Sequence, residues 1–123
     1  MNRQTTLLLI ILFVAGLNGL TAQQINTPTP SPLAKLEQRV GLTDIIITYS
    51  RPSVKGRTIF GDLVPYGKLW RTGANMATKI SFSDDVKIEG QELKAGEYAL
   101  FTIPGKEKWT LIFNTVANQA GSG

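Results

Sequence analysis

The sequence contains no cysteine and no histidine. Without them, Ser-His-Asp triads, Cys-His pairs and imidazole general bases are excluded. Structural zinc and blue-copper sites depend on the same ligands and are excluded as well. A lipid anchor on a cysteine and any disulfide are also impossible. We therefore predict no metal site and no cofactor. The absence of both residue types also removes most of the familiar mechanisms of small hydrolases.

The sequence also lacks a concentrated run of basic charge. Its net charge is +4, and lysine and arginine occur singly between acidic and apolar residues. Nucleic-acid-binding domains are typically more basic, with their lysine and arginine residues clustered. The charge pattern predicts a mixed, solvated surface and no nucleic-acid partner.

A long hydrophobic run occurs only at the N-terminus. Arg3 precedes an uncharged apolar stretch at residues 7–17, the stretch breaks at Asn18-Gly19, and Thr21-Ala22 supplies small residues for cleavage. The stretch is about half of the roughly 20 apolar residues that span a bilayer, and the three parts together are typical of a secretory signal peptide. We predict a cleaved signal at residues 1–22, no membrane span after cleavage, and export to the periplasm or the extracellular space.

Behind this segment, residues 23–32 (QQINTPTPSP) have the composition of an extended linker, because proline interrupts every possible hydrogen-bonded ladder. Residues 33–118 form the predicted domain, and residues 119–123 are a small polar tail. Since no disulfide can form, the domain must be stabilised by packing, by bound ions or by a partner.

Apolar residues of this domain alternate with a period of two. The clearest case is DIIITYS at residues 44–50, a β-branched run that turn residues enclose. Other predicted strands are residues 78–83, 86–88, 96–103 and 109–114, with at most a single helical turn near residues 60–64. Gly96 lies two residues before Tyr98 at the start of a strand, which is typical of a tyrosine corner, where the phenol binds upstream backbone. The sequence predicts an all-β domain, a small antiparallel β-sandwich of Greek-key, immunoglobulin-like or related topology.

The segment at residues 51–75 departs from this alternation. It is rich in glycine and proline, and a connection of this length in a compact domain is usually functional or covers a core edge. It carries the candidate ligand-binding residues Arg57, Tyr66, Trp70, Arg71 and Asn75. Arginine forms paired bonds with a carboxylate or phosphate, and tryptophan stacks on a flat ligand. These side chains suit an anionic or glycan small ligand, or another envelope protein.

A structural interpretation of the same residues stays open. In it Trp70 closes one end of the sandwich, Arg71 ties the loop to backbone carbonyls or to Asp62, and Asn75 occupies a left-handed turn.

Carboxylates are the remaining groups for acid–base chemistry. A glycosidase needs two of them facing each other across a cleft, and Asp62, Glu89, Glu92 and Glu97 show no sign of burial in their local sequence. Asp84-Asp85 is better explained as a turn than as a calcium site, which needs six to eight oxygen ligands. We therefore assign no catalytic residue and favour a non-enzymatic binding or structural module. The alternative is a carboxylate-based hydrolase acting on carbohydrate or cell-envelope material.

Several motifs carry a resemblance to a known family. They are Tyr49-Ser50-Arg51-Pro52, Gly56-Arg57, Phe60-Gly61, Val64-Pro65-Tyr66-Gly67, the run from Trp70 to Asn75 (WRTGAN), and the run from Leu100 to Gly105 (LFTIPG). The chain from about residue 31 to residue 118 resembles a family of secreted bacteroidete proteins catalogued as domain of unknown function 2911. The resemblance implies export, a β-rich domain and no established activity. Members of that family look longer at the C-terminus, so the resemblance implies one of two alternatives: the sequence is a fragment, or this sandwich lacks the last strands.

Overall fold

We describe the fold from a computed structural model of the chain, which describes residue 2 and residues 24–120. The predicted signal peptide and the last three residues of the predicted tail lie outside these, apart from residue 2. Seven strands form, and none of the described residues is helical. They are β1 (Leu33–Val40), β2 (Thr43–Ser50), β3 (Ala74–Phe82), β4 (Val86–Ile88), β5 (Gln91–Leu93), β6 (Gly96–Ile103) and β7 (Thr110–Asn114). The predicted all-β class is confirmed.

The strands form two antiparallel sheets. The larger sheet has the order β1-β2-β3-β6-β7, and β4 pairs with β5 in a separate hairpin. Glu89 and Gly90 join that hairpin with φ angles of 49° and 79°, the left-handed pair that a type I′ turn requires. The predicted strand at residues 78–83 begins earlier, at Ala74, and β5 is a strand that the sequence analysis missed, because three residues are too few to show a period.

One face of the larger sheet is apolar. Direct partners across the strands join Leu36 to Ile47 and Ile47 to Ile80, so their side chains share this face. The β4–β5 hairpin lies over one end of the face, where its residues line a trough of about 500 Å³ with the isoleucines of β2 and β3. This arrangement is consistent with a small β-sandwich whose second sheet is the hairpin.

Phe82 and Tyr98 are buried on the apolar face, and a second buried cluster lies on the opposite face. Ala77, Ala99 and Phe101 are buried there, and Ile112 packs against them. The chain returns to β3 after β7, since the N–H of Ala77 donates to the carbonyl of Gln119 at 2.9 Å. The core is small, so the domain depends on a few side chains.

The predicted tyrosine corner is confirmed. The hydroxyl of Tyr98 donates to the carbonyl of Lys94 at 2.7 Å, four residues upstream. Its ring packs near Phe82 and Phe113, with centroid distances of 6.5 and 6.2 Å. The hydrogen bond and the ring contacts fix the entry of the chain into β6.

Candidate functional site

The segment at residues 51–73 connects β2 to β3 at the end of the larger sheet where β2 and β6 finish. Trp70 exchanges two backbone hydrogen bonds with Thr102 of β6, at 2.8 and 2.9 Å. The hydroxyls of Thr72 and Thr102 are 3.1 Å apart, and the Thr78 hydroxyl donates to the carbonyl of Thr72 at 2.7 Å. These contacts fix the last turn of the segment against the two central strands.

A tight turn shapes the first part of the segment. Lys55 and Gly56 both have positive φ angles, 50° and 68°, and the N–H of Arg57 donates to the carbonyl of Val54 at 3.1 Å. The Arg57 side chain reinforces the turn, with Nε donating to Val54 and Nη2 to Ser53, at 3.0 and 2.6 Å. Nε and Nη2 of Arg57 therefore donate to carbonyls of its own turn. Its other guanidinium N–H groups do not take part in these two bonds.

Between this turn and the sheet lies a cavity of about 690 Å³. Its volume falls within the range of small-molecule sites. Ile59, Val64 and Trp70 contribute apolar wall, and Lys55, Arg57 and Arg71 contribute positive charge. The lining contains no aspartate or glutamate, so its charged side chains make the electrostatic potential inside the cavity positive.

Arg71 is the unusual member of this lining. Its Nε is buried and has no hydrogen-bond partner. Among the residues that the structure describes, no hydrogen bond or ion pair joins the Arg71 side chain to Asp62 or to a carbonyl. The structural interpretation expected Arg71 to bind backbone carbonyls or Asp62, and that expectation is wrong. An unsatisfied buried donor costs about 1–3 kcal/mol, and more when the group is charged.

Trp70 lines the cavity and also contacts two other aromatic rings. Its indole is 5.9 Å from Phe60 and 6.4 Å from Trp109, measured between ring centroids, and Phe60 and Trp109 are 5.1 Å apart. All three pairs are edge-to-face, with interplanar angles of 70–77°. We call Phe60, Trp70 and Trp109 the aromatic cluster.

The structure brings three of the five candidate residues together. Arg57, Trp70 and Arg71 line the cavity, whereas Tyr66 and Asn75 do not. Asn75 has a φ of 60°, and its amide donates to the Ser50 hydroxyl at 3.2 Å, which is the left-handed structural role of the alternative interpretation. The Tyr66 ring lies against Gly61, where an added Cβ would approach Cε2 to 2.9 Å.

Sequence reasoning missed Lys55 and Thr72. Gly56 was a usable signal, because glycine favours the positive φ of a tight turn. Thr72 gave no signal, since its role depends on Thr102, which is 30 residues away in the sequence.

The described residues offer no acidic constellation. Within residues 24–120, no three acidic side chains lie close enough together to hold a metal ion. Nor do these residues form a helix that is long and apolar enough to cross a bilayer.

A family model described as "Protein of unknown function (DUF2911)" matches residues 31–123. No curated protein and no solved structure matches the chain.

Proposed function

The chain belongs to the DUF2911 family of proteins of unknown function, and we propose that it is an exported, non-enzymatic module that binds a small carboxylate- or phosphate-bearing ligand in the Arg71 cavity. Export is proposed from the N-terminal sequence pattern. Expression of the full chain in a secreting bacterial host, followed by intact-mass measurement, tests it; retention of residues 1–22 in the exported protein would contradict it.

The observation that carries the binding proposal is that Arg71, whose Nε has no hydrogen-bond partner, lines a cavity whose charged residues are all basic. A guanidinium binds a carboxylate or phosphate through two parallel N–H···O bonds. In a partly desolvated site this pairing is stronger than in water, because the local dielectric is lower. An anionic group in the cavity would pair with the half-buried Arg71 side chain that lines it. Nε itself is buried, so it joins that pairing through a small shift of the side chain.

The rest of the lining supports an organic ligand. Ile59, Val64 and Trp70 offer apolar contact beside the charged groups, as is usual in pockets that combine apolar walls with a few polar anchors. Tyr49, Ser53 and Thr72 add hydroxyl groups. The lining has no carboxylate to act as a general base beside them, which supports binding over catalysis.

The proposal is tested with benzoate and inorganic phosphate as probes and benzyl alcohol as the neutral analogue of benzoate. We expect at least one anion, and not benzyl alcohol, to raise the melting temperature and to bind by calorimetry. Arg71→Ala should weaken binding at least tenfold, and Arg71→Lys should weaken it less, because lysine keeps the charge but not the paired geometry.

Arg51→Ala is the matched control, because Arg51 is an exposed arginine next to the cavity that does not line it. Its affinity should stay within twofold of the wild type. Circular dichroism confirms that each variant is folded. Equal binding by folded Arg71→Ala, or no binding of either anion by the wild type, would refute the proposal.

A further inference from the structure

A second surface adjoins the cavity, in the loops that meet at the aromatic cluster, and shares Leu63 and Trp70 with its lining. Phe60 and Trp109 are 41% and 45% exposed, and Leu63 and Leu69 in the same segment are 53% and 42% exposed. Removing apolar side chains of this size from water is favourable in free energy, so their exposure favours contact with a partner. Phe60, Trp70 and Trp109 are joined by direct ring contacts, and exposed apolar groups of this kind mark an interaction surface.

The β6–β7 loop at residues 104–109 belongs to the same surface. The N–H of Gly67 donates to the carbonyl of Pro104 at 2.8 Å, and Trp109 at the end of that loop contacts Phe60 and Trp70. The two loops therefore form one continuous tip, which we call the aromatic tip (residues 51–71 and 104–109).

Positive charge concentrates at this tip. Its two loops hold seven of the basic residues and only two acidic ones, Asp62 and Glu107. The other residues between 24 and 120 carry five basic and seven acidic residues. All four ion pairs among the described residues lie outside the tip, so Lys68, Lys106 and Lys108 keep their charge uncompensated by such pairs.

We propose that the aromatic tip docks on the surface of a bilayer that contains anionic phospholipid. Tryptophan and tyrosine favour the membrane–water interface, where an apolar ring meets a polar edge. Each lysine near an anionic leaflet adds an attraction that corresponds to about a fivefold increase in affinity. The exposed Leu63 and Leu69 favour a bilayer over a nucleic acid, because a phosphate backbone offers them no apolar contact.

The docking is peripheral and reversible, because the apolar part consists of a few side chains on loops. The tip shares residues with the Arg71 cavity, but none of its test variants alters a residue that lines the cavity, so failure of this proposal is distinguishable from failure of the anion site.

Co-sedimentation with vesicles tests the proposal. The protein should bind vesicles of phosphatidylcholine mixed with phosphatidylglycerol more than tenfold better than vesicles of phosphatidylcholine alone, and added salt should weaken the binding. Trp70 and Trp109 are the two tryptophans of the chain. Their emission therefore reports on the tip alone and should shift to shorter wavelength on binding.

Matched variants locate the binding surface. Lys106→Glu should weaken binding at least fivefold, whereas Lys87→Glu in the β4–β5 hairpin makes the same charge change and should leave it within twofold. Trp109→Ala should weaken binding about tenfold, whereas Leu111→Ser on the open apolar face, a side chain exposed to 48%, should have little effect.

Three results would overturn the proposal. The first is an absence of binding to the anionic vesicles. The second is binding that Leu111→Ser weakens and Trp109→Ala does not, which would locate it on the apolar face. The third is equal binding to both vesicle types together with tight binding of a single-stranded oligonucleotide, which would identify the tip as a nucleic-acid surface.

Discussion

Backbone conformation at single residues prepares the candidate site. Thr72 has a φ of 60°, a conformation that is unfavourable for a β-branched residue. Such strain costs about 1–3 kcal/mol and persists where surrounding contacts enforce it. The hydroxyls of Thr78 and Thr102 make those contacts. Thr72 follows Arg71 directly and also lines the cavity. Its contacts therefore fix the backbone of the cavity wall next to Arg71.

At the same scale, Tyr98→Phe should lower the free energy of unfolding by about 1–2 kcal/mol, because it removes a hydrogen bond of a buried side chain to the Lys94 carbonyl. Urea unfolding measures the change. Tyr66→Phe is the control, since that side chain is 40% exposed, and it should change the free energy by less than about 0.5 kcal/mol. Equal effects of the two substitutions would contradict a structural role for the tyrosine corner.

Among the elements, the two edges of the large sheet differ in their protection. β1 carries Lys35, Glu37 and Arg39 at alternate positions, and charged residues on an edge strand discourage pairing with another chain. β7 has the sequence TLIFN and carries no charge. The edge formed by β7 is thus the less protected one.

The β4–β5 hairpin is held to the start of β6 through Asp85. Its carboxylate accepts hydrogen bonds from Lys94 Nζ at 2.7 Å and from the N–H of Ala95 at 2.8 Å. The hydrogen bond from Lys94, followed by that from Ala95, holds the pKa of Asp85 below its ordinary value of 3.8. A carboxyl whose pKa is lowered on folding stabilises the folded state above its unfolded pKa.

This contribution should therefore be present above about pH 4 and be lost as the pH falls through the lower folded pKa. The effect is small, because the pair is solvent-exposed. Unfolding by urea at a series of pH values should show a stronger loss of stability in acid for the wild type than for Asp85→Asn. Glu92→Gln, another carboxyl of the hairpin, should keep the wild-type dependence, and a direct NMR titration that gives Asp85 an ordinary pKa would rule out the explanation.

For the whole molecule, stability depends on a small core and on no disulfide. Phe101 is 3% exposed and packs with two alanines and Ile112. It is the largest side chain in that cluster. Domains of this kind have a total stability of about 5–15 kcal/mol, so the loss of one such ring affects the whole fold.

Phe101→Ala should lower the free energy of unfolding by about 3–5 kcal/mol, because it removes buried apolar surface and leaves a cavity. Denaturant unfolding followed by circular dichroism measures it. Leu111→Ala, on a strand but 48% exposed, should cost much less. A loss below about 1 kcal/mol for Phe101→Ala would show that the core lies elsewhere.

Local patterns determined most of the fold. The β-branched run of β2 predicted a strand, and the spacing of Gly96 and Tyr98 predicted the tyrosine corner. Each of these signals resides in a few adjacent residues, so the sequence is sufficient to read it. The three residues of β5 were missed because strand pairing, and not composition, defines them.

The candidate site was only partly predictable. The sequence by itself determined that the segment at residues 51–75 carries arginine and tryptophan side chains and that histidine and cysteine chemistry is excluded. Only the tertiary structure decided that Arg57, Trp70 and Arg71 share a cavity and that Asn75 occupies a left-handed turn and binds Ser50. It also decided that basic residues from two separate loops meet at the aromatic tip. The physical reason is that burial, pairing and local field depend on contacts between distant residues such as Thr72 and Thr102 or Phe60 and Trp109, which no local pattern encodes.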